Sequence, residues 1–468
     1  MRCKDSEVCD ALCFNEATRE LYADSFITEG FILMRLSKQV IISRQYLVPD
    51  CFIEIARGAI KDNTSSQQQA EHQEDIALAL YLANREEAIK PYLDILPSCI
   101  DQNLPVTWTL EERAPRLCGS PVLKEIELRE RKNFEDYKNI SDFLACNEHL
   151  LKCPSKEAFD NALAWVRSRA FGMDGALRTN SGDAVPAMMP LLDLCNHARG
   201  RTVSKNISYS YEEGCVVVKA LRDISPGEVL RITYGALPNS LLLMNYGFCL
   251  EENYEPDGSS NDILAFEPIA GGALVIDLRT GPKSYTYGKL VQALECYLAH
   301  SEEDHRETAI EEESESDSCH LLEDNEEDLD GSMLYAACGD DYRCSSACDN
   351  DLSLECEALR NLETRLLSLL RNYKLGEIKQ VTDIDSQLAA NTRNRFSSIL
   401  TRSEMRTISF FLQVARRILS MLRFKRDHLQ YNPCALSSNL DCINLKKQME
   451  DLVDVYMRIR HPDISLRR

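Results

Sequence analysis

No apolar run in the 468 residues approaches the ~20 needed to carry a helix across a bilayer, so a membrane-spanning plan is excluded. Basic residues are scarce relative to acids: 53 Lys and Arg stand against 75 Asp and Glu, a formal net charge of −22. Nucleic-acid surfaces need basic density to displace counterions from phosphate, so no nucleic-acid partner is expected. Charge alone does not remove a basic protein tail as a substrate. Zinc spacing is also missing. The 19 cysteines are scattered singly, and the CxxxC pairs Cys9/Cys13 and Cys344/Cys348 have no matching second half. No signal peptide precedes them, so free thiols in a reduced compartment are expected. The opening residues MRCKDSEVCDALCFNEATRE carry acids among few arginines, unlike a transit peptide. The expected location is intracellular, cytoplasmic or nuclear, with a plastid left open.

What is present is a core-forming fraction of 44% apolar residues, spread over a length that suits two or three domains. Phe31–Ser43 is rich in β-branched and aromatic residues and reads as one or two short strands. Pro49 opens a mainly helical region, with amphipathic runs over Glu74–Ala88 and Leu123–Ala145 and a loop at LPSCIDQNLPVTW between them. Ser155 is a suitable N-cap for a helix whose apolar face is Phe159, Ala162, Leu163, Val166 and Ala170, ending near Gly172. ISYSY, CVVVKAL and VLRITYG read as strands. The SPGE turn, centred on Pro226 and Gly227, predicts a hairpin of the last two. LLLMNYGF reads as a short helix leading into a loop. Residues 301–350 turn abruptly acidic and cannot bury enough apolar area to order themselves. Leucines at 359, 362, 366 and 369 begin three further amphipathic helices, read as intramolecular core because no strict heptad persists.

Three short segments carry polar groups suited to chemistry. RSRAF holds Arg167, Arg169 and Phe171 at a helix end; PLLDLCNH holds Asp193, Asn196 and His197 after an apolar run; ITYG and NYGF hold Tyr234, Tyr246, Gly247 and Phe248. Each alone has an ordinary structural explanation, such as a helix-end arginine on carbonyls or a strand tyrosine with its hydroxyl at the core rim.

Their order and spacing resemble the SET-domain methyltransferases, in the branch typified by the Rubisco large-subunit lysine methyltransferase and the actin-histidine methyltransferase. DLCNH matches that branch's D-x-x-N-H element, SPGEVLRITYG its G-E-strand-Y-G element, and PNSLLLMNYGF its S-N-helix-G-F element. The match is close over Ser155 to about Asp262. It implies an α+β fold of small SET β-sheets with a pseudoknot joining DLCNH to ITYG, interrupted by a helical insert and followed by an all-α C-terminal domain. The implied domains are an incomplete N-terminal SET segment at 1–50, the insert at 51–154, the active-site segment at 155–262, and a helical substrate-binding-like domain at 263–468.

The resemblance implies S-adenosyl-L-methionine (AdoMet) as cofactor, held by Arg169, Asn196 and His197, with Tyr246, Gly247 and Phe248 as a wall beside it. It places Asp193 near the acceptor pocket and makes Tyr234 the catalytic residue, with no metal. The implied function is lysine methylation on a non-histone protein by a monomer. A histidine acceptor on the same fold, or a non-catalytic SET-derived adaptor, are the alternatives. One departure stands out. The family's first strand carries a Gly-x-Gly turn against the cofactor, whereas no glycine here precedes Gly30, which together with Ile27 belongs to the next element, ITEGFIL. Weak AdoMet binding is the corresponding expectation.

Overall fold

The structure, a computed structural model, describes residues 6–16, 18–61, 66–84, 87–172, 185–199, 204–269, 274–281, 285–299, 349–373, 384–426 and 443–461. The chain divides into two compact units, Met1–Ile263 with Tyr373–Glu404, and Leu264–Asn372 with Met405–Arg468.

The first unit contains an antiparallel sheet of order β1 (Glu7–Val8), β4 (Ile32–Ser37), β9 (Cys215–Ala220), β8 (Ile207–Glu212). Val216, Val217 and Val218 are all buried, as suits β-branched side chains in a central strand. β8 and β9 turn through Glu213 and Gly214, at φ 52° and 81°, the paired left-handed conformation whose twist matches a hairpin. SPGE is a turn with Gly227 at φ 81°, but the predicted hairpin of CVVVKAL with VLRITYG does not form. β9 is already occupied by β4 and β8. The segment after SPGE instead pairs with β3 (Glu20–Ala23), through Ala23 N–H to Glu228 O at 2.9 Å and Leu230 N–H to Leu21 O at 2.8 Å. β3 is itself one arm of a hairpin with β2 (Leu12–Asn15).

Helices α1 (Asp50–Ala59), α2 (Ser66–Asn84), α3 (Lys90–Leu93), α4 (Leu110–Arg116), α5 (Val122–Cys146) and α6 (Lys156–Arg169) follow β4. Phe52, Ile55, Ile76, Leu80, Ile140, Phe159 and Trp165 share one core. α2 starts well before the expected Glu74 and stops at Asn84; Ile76 through Ala83 are all buried. Glu74 is buried against Arg44 at 2.7 Å. Ser155 caps α6 by accepting from Ala158 N–H at 3.2 Å. α6 ends at Arg169 rather than Gly172, because Phe171–Gly172 form β5 against β6 (Pro186–Ala187). β7 (Asn196–His197), β10 (Arg231–Ile232) and α7 (Asn239–Tyr246) complete the unit together with the first part of α10 (Ile384–Arg426).

Among the described residues the second unit is helical apart from the antiparallel pair β11 (Leu264–Phe266) and β12 (Ile276–Leu278). It comprises α8 (285–299), α9 (Asp349–Asn372), the rest of α10, and α11 (Ile443–Arg460). Leu359, Leu362 and Leu366 are buried as their spacing predicts, and Leu369 is half-buried. The acidic stretch read over 301–350 lies outside the described residues except for its last two positions, which open α9. Among the described residues no helix is long and apolar enough to cross a membrane, and no cluster of three or more His, Cys, Asp or Glu could hold a metal ion.

Candidate active site

The site forms where DLCNH and ITYG meet. β7 and β10 pair in parallel, Asn196 opposite Arg231 and His197 opposite Ile232, and Ala198 N–H donates to Ile232 O at 2.7 Å. A turn at Leu191, held at φ 75°, and a short helical turn over Leu192–Leu194 deliver Asp193 and Cys195 into this pairing.

Tyr234 is fastened to the DLCNH segment at both ends. Its N–H donates to His197 Nδ1 at 2.9 Å and its hydroxyl donates to Cys195 O at 3.0 Å. His197 is therefore neutral, with its proton on Nε2. Burial, with Arg199 adding to it, lowers the imidazole to about 4. Burial raises the Tyr234 phenol well above its ordinary value, so the hydroxyl keeps its proton throughout the neutral range. The Tyr234 ring lies 4.9 Å from His197 and stacks on Tyr246 at 4.7 Å and 24°. Phe248 lies 6.2 Å from both His197 and Tyr246. Four aromatic rings thus make one continuous wall.

Asp193, two positions before Cys195, is buried and acts electrostatically on Tyr234. Burial raises its carboxyl, while Arg169 and a hydrogen bond from Tyr92 act to lower it. Tyr92 donates to Asp193 Oδ2 at 2.7 Å, and Arg169 Nη1 donates to Asp193 O at 2.8 Å. Two buried atoms, Arg169 Nε and Asp193 Oδ1, have no hydrogen-bond partner among the described residues. A buried donor and acceptor left unpaired are costly, and a polar ligand would satisfy them. Asn196 Nδ2 donates to Glu20 Oε1 at 2.8 Å.

The structure therefore gathers Arg169, Asp193, Asn196, His197, Tyr234, Tyr246 and Phe248 around one stretch of backbone. Gly247, between Tyr246 and Phe248, is also the end of α7. At φ 77° it closes α7, and a Cβ there would come within 1.8 Å of Gln102 O. Arg167 turns away from the site to donate to Asn133 Oδ1 at 2.9 Å. Sequence reasoning missed Tyr92, which no local motif marks because it reaches Asp193 from the helical insert. It also missed Glu20, visible only as the absence of an expected glycine.

The SET-domain family model matches residues 17–235. Actin-histidine N-methyltransferases of Danio rerio and Mus musculus are each 26% identical over 208 residues, covering 43% of this chain and 34% of theirs. The match thus spans about a third of the length of these curated relatives. Among solved structures, the SET domain of LSMT bound to MeLysine and AdoHcy has a TM-score of 0.58 at 16% identity, covering 92% of this chain and 95% of that one. Rubisco LSMT bound to AdoMet has a TM-score of 0.54 at 17% identity, covering 90% and 93%. The α+β architecture, its helical C-terminal region included, is the fold of those structures.

Proposed function

Because the chain carries a SET domain, we propose that it is an AdoMet-dependent protein N-methyltransferase acting on a lysine side chain of a non-histone protein. The observation that carries this reading is the double fastening of Tyr234 to the DLCNH segment within an aromatic wall. The residues present fit the cofactor: Arg169 holds an unsatisfied buried Nε for a carboxylate, and Asn196 and His197 offer polar edges beside stacked rings. When bound, AdoMet supplies a methyl group on a sulfonium as electrophile.

The chain's own residues prepare the acceptor. A lysine has a pKa of about 10.4 in water and must enter as the neutral amine, which a buried aromatic setting favours. The Tyr234 proton is committed to Cys195 O, so the phenol oxygen presents lone pairs. It accepts a hydrogen bond from the incoming N–H and fixes the direction of the nitrogen lone pair. The phenol stays protonated and is therefore an orienting group, not the base. Asp193 is braced by Tyr92 and Arg169 and remains buried with them.

A histidine acceptor is the second reading, favoured by the names of the curated relatives. Calorimetric titration with AdoMet, followed by mass spectrometry of cell extract methylated with a labelled AdoMet analogue, tests both. Modified lysine in a non-histone protein is expected. Modified histidine alone moves the assignment to the second reading, and absence of AdoMet binding leaves a SET-derived adaptor.

A further inference from the structure

We propose that Glu20 is a ligand-binding residue of the cofactor site, its carboxylate receiving the α-ammonium of AdoMet's methionine end. This rests on the reading of Asn196 and Arg169 as the cofactor's holders.

The backbone places Glu20 there without ambiguity of register. It opens β3, faces Asn15 across the β2–β3 hairpin, and precedes Leu21, whose carbonyl accepts from Leu230 N–H at 2.8 Å. The next residue, Arg231, lies opposite Asn196 in the β10–β7 pair. Glu20 is thus one strand removed from Asn196, and the 2.8 Å bond from Asn196 Nδ2 to Glu20 Oε1 closes that gap. The turn leading into β3 has the shape glycine ordinarily supplies: Arg19 sits at φ 57°, in the left-handed region. The glycine-free turn thus reaches that conformation and adds a carboxylate at its end.

The charges are arranged for a zwitterion. Glu20 and Arg169 are both hydrogen-bonded to the 193–196 segment, the acid through the Asn196 side chain and the guanidinium through Asp193 O. An amino-acid end carries an ammonium and a carboxylate on one carbon and needs one partner of each sign. The guanidinium provides one, with Nε still unpartnered among the described residues. Asn196 is neutral and cannot offset an ammonium, whereas Glu20 can. Its half-buried carboxylate is oriented by the Asn196 amide, which leaves the second oxygen to accept. On this assignment the side chain at position 20 replaces the contacts that a glycine backbone makes elsewhere in the fold.

The test is calorimetric titration of wild type, Glu20→Gln, Glu20→Gly and Asn196→Ala with AdoMet and with methylthioadenosine, which lacks the amino-acid end. Glu20→Gln is isosteric and keeps an acceptor for Asn196, and thermal denaturation checks that each variant folds. Both Glu20 variants are expected to bind AdoMet at least tenfold more weakly while methylthioadenosine affinity stays within twofold of wild type. Wild-type affinity for AdoMet in Glu20→Gln overturns the proposal. So does tighter binding in Glu20→Gly, because Glu20 would then obstruct the pocket. If Asn196→Ala weakens AdoMet while the Glu20 variants do not, the cofactor reading stands and only the role of Glu20 falls. A wild type that binds neither compound removes the methyltransferase reading, and this proposal with it.

Discussion

Tyr234 concentrates what single residues contribute here. Its ring is fixed by His197 and Tyr246, and its hydroxyl is fixed by Cys195 O. Tyr234→Phe removes one oxygen and leaves the backbone bond to His197 Nδ1 intact. Methyl transfer, followed by release of label from AdoMet into protein, is expected to slow roughly 100-fold or more, the scale for losing one oriented polar group at a reacting centre. AdoMet affinity by calorimetry is expected to stay within about twofold, since the proposed role gives the phenol to the acceptor and not to the cofactor; a mutant that turns over normally removes Tyr234 from the mechanism. DLCNH and ITYG were legible because each packs its polar residues within a few positions of sequence. Tyr92 was not, since it meets Asp193 only through tertiary packing of the insert. Glu20 was legible only in outline: the missing glycine marked the position, but no pattern in the chain pairs a glutamate with Asn196.

At the level of elements, the short helix α7 shows how backbone geometry sets a side-chain wall. Tyr246 ends the helix, Gly247 reverses the chain at φ 77°, and Phe248 emerges beside His197. α5 secures the helix through Arg129, whose Nη1 donates to Asn245 Oδ1 at 2.6 Å. Gly247→Ala meets both a left-handed backbone and the Gln102 carbonyl. Strain of that kind costs on the order of 1–3 kcal/mol before the clash is counted. The urea midpoint is expected to fall accordingly, and AdoMet binding with it, because Tyr246 and Phe248 lose their relative placement. An unchanged midpoint would mean that α7 and the Gln102 loop separate at little cost. Local turn chemistry made this helix and its glycine readable. The same reasoning failed at SPGE, where the turn was identified but the strand after it chose β3 and β7 over β9. Turn residues specify a reversal of direction; the partner of a strand is chosen by edges that lie far away in sequence.

Across the whole chain, the first unit is completed by residues that return after a long excursion. Glu404, in α10, is buried and accepts from Ser120 Oγ at 2.9 Å and Tyr373 Oη at 3.2 Å. Ser403 beside it bonds Asp262, whose other partners are Asn239 and Asn253 at the start of α7 and in the loop beyond it. Burial raises the Glu404 carboxyl from 4.5 to about 8, against the opposing pull of the Ser120 and Tyr373 bonds. The folded protein thus holds a proton that the unfolded chain releases near 4.5. Stability from this group is fully present below that pH and is lost as pH rises through about 8. Glu404→Gln carries no ionisable proton and retains one acceptor and one donor edge for Ser120 and Tyr373. Its stability relative to wild type, from urea unfolding between pH 5 and 9, is expected to improve as pH rises and to level off above about 8. The difference should reach on the order of a few kcal/mol at the upper end. A constant difference across that range would mean that Glu404 is ionised in the folded state and that its surroundings hold a charge. The comparison reads a contact among three stretches distant in sequence, so it reports on the assembly of the first unit as a whole.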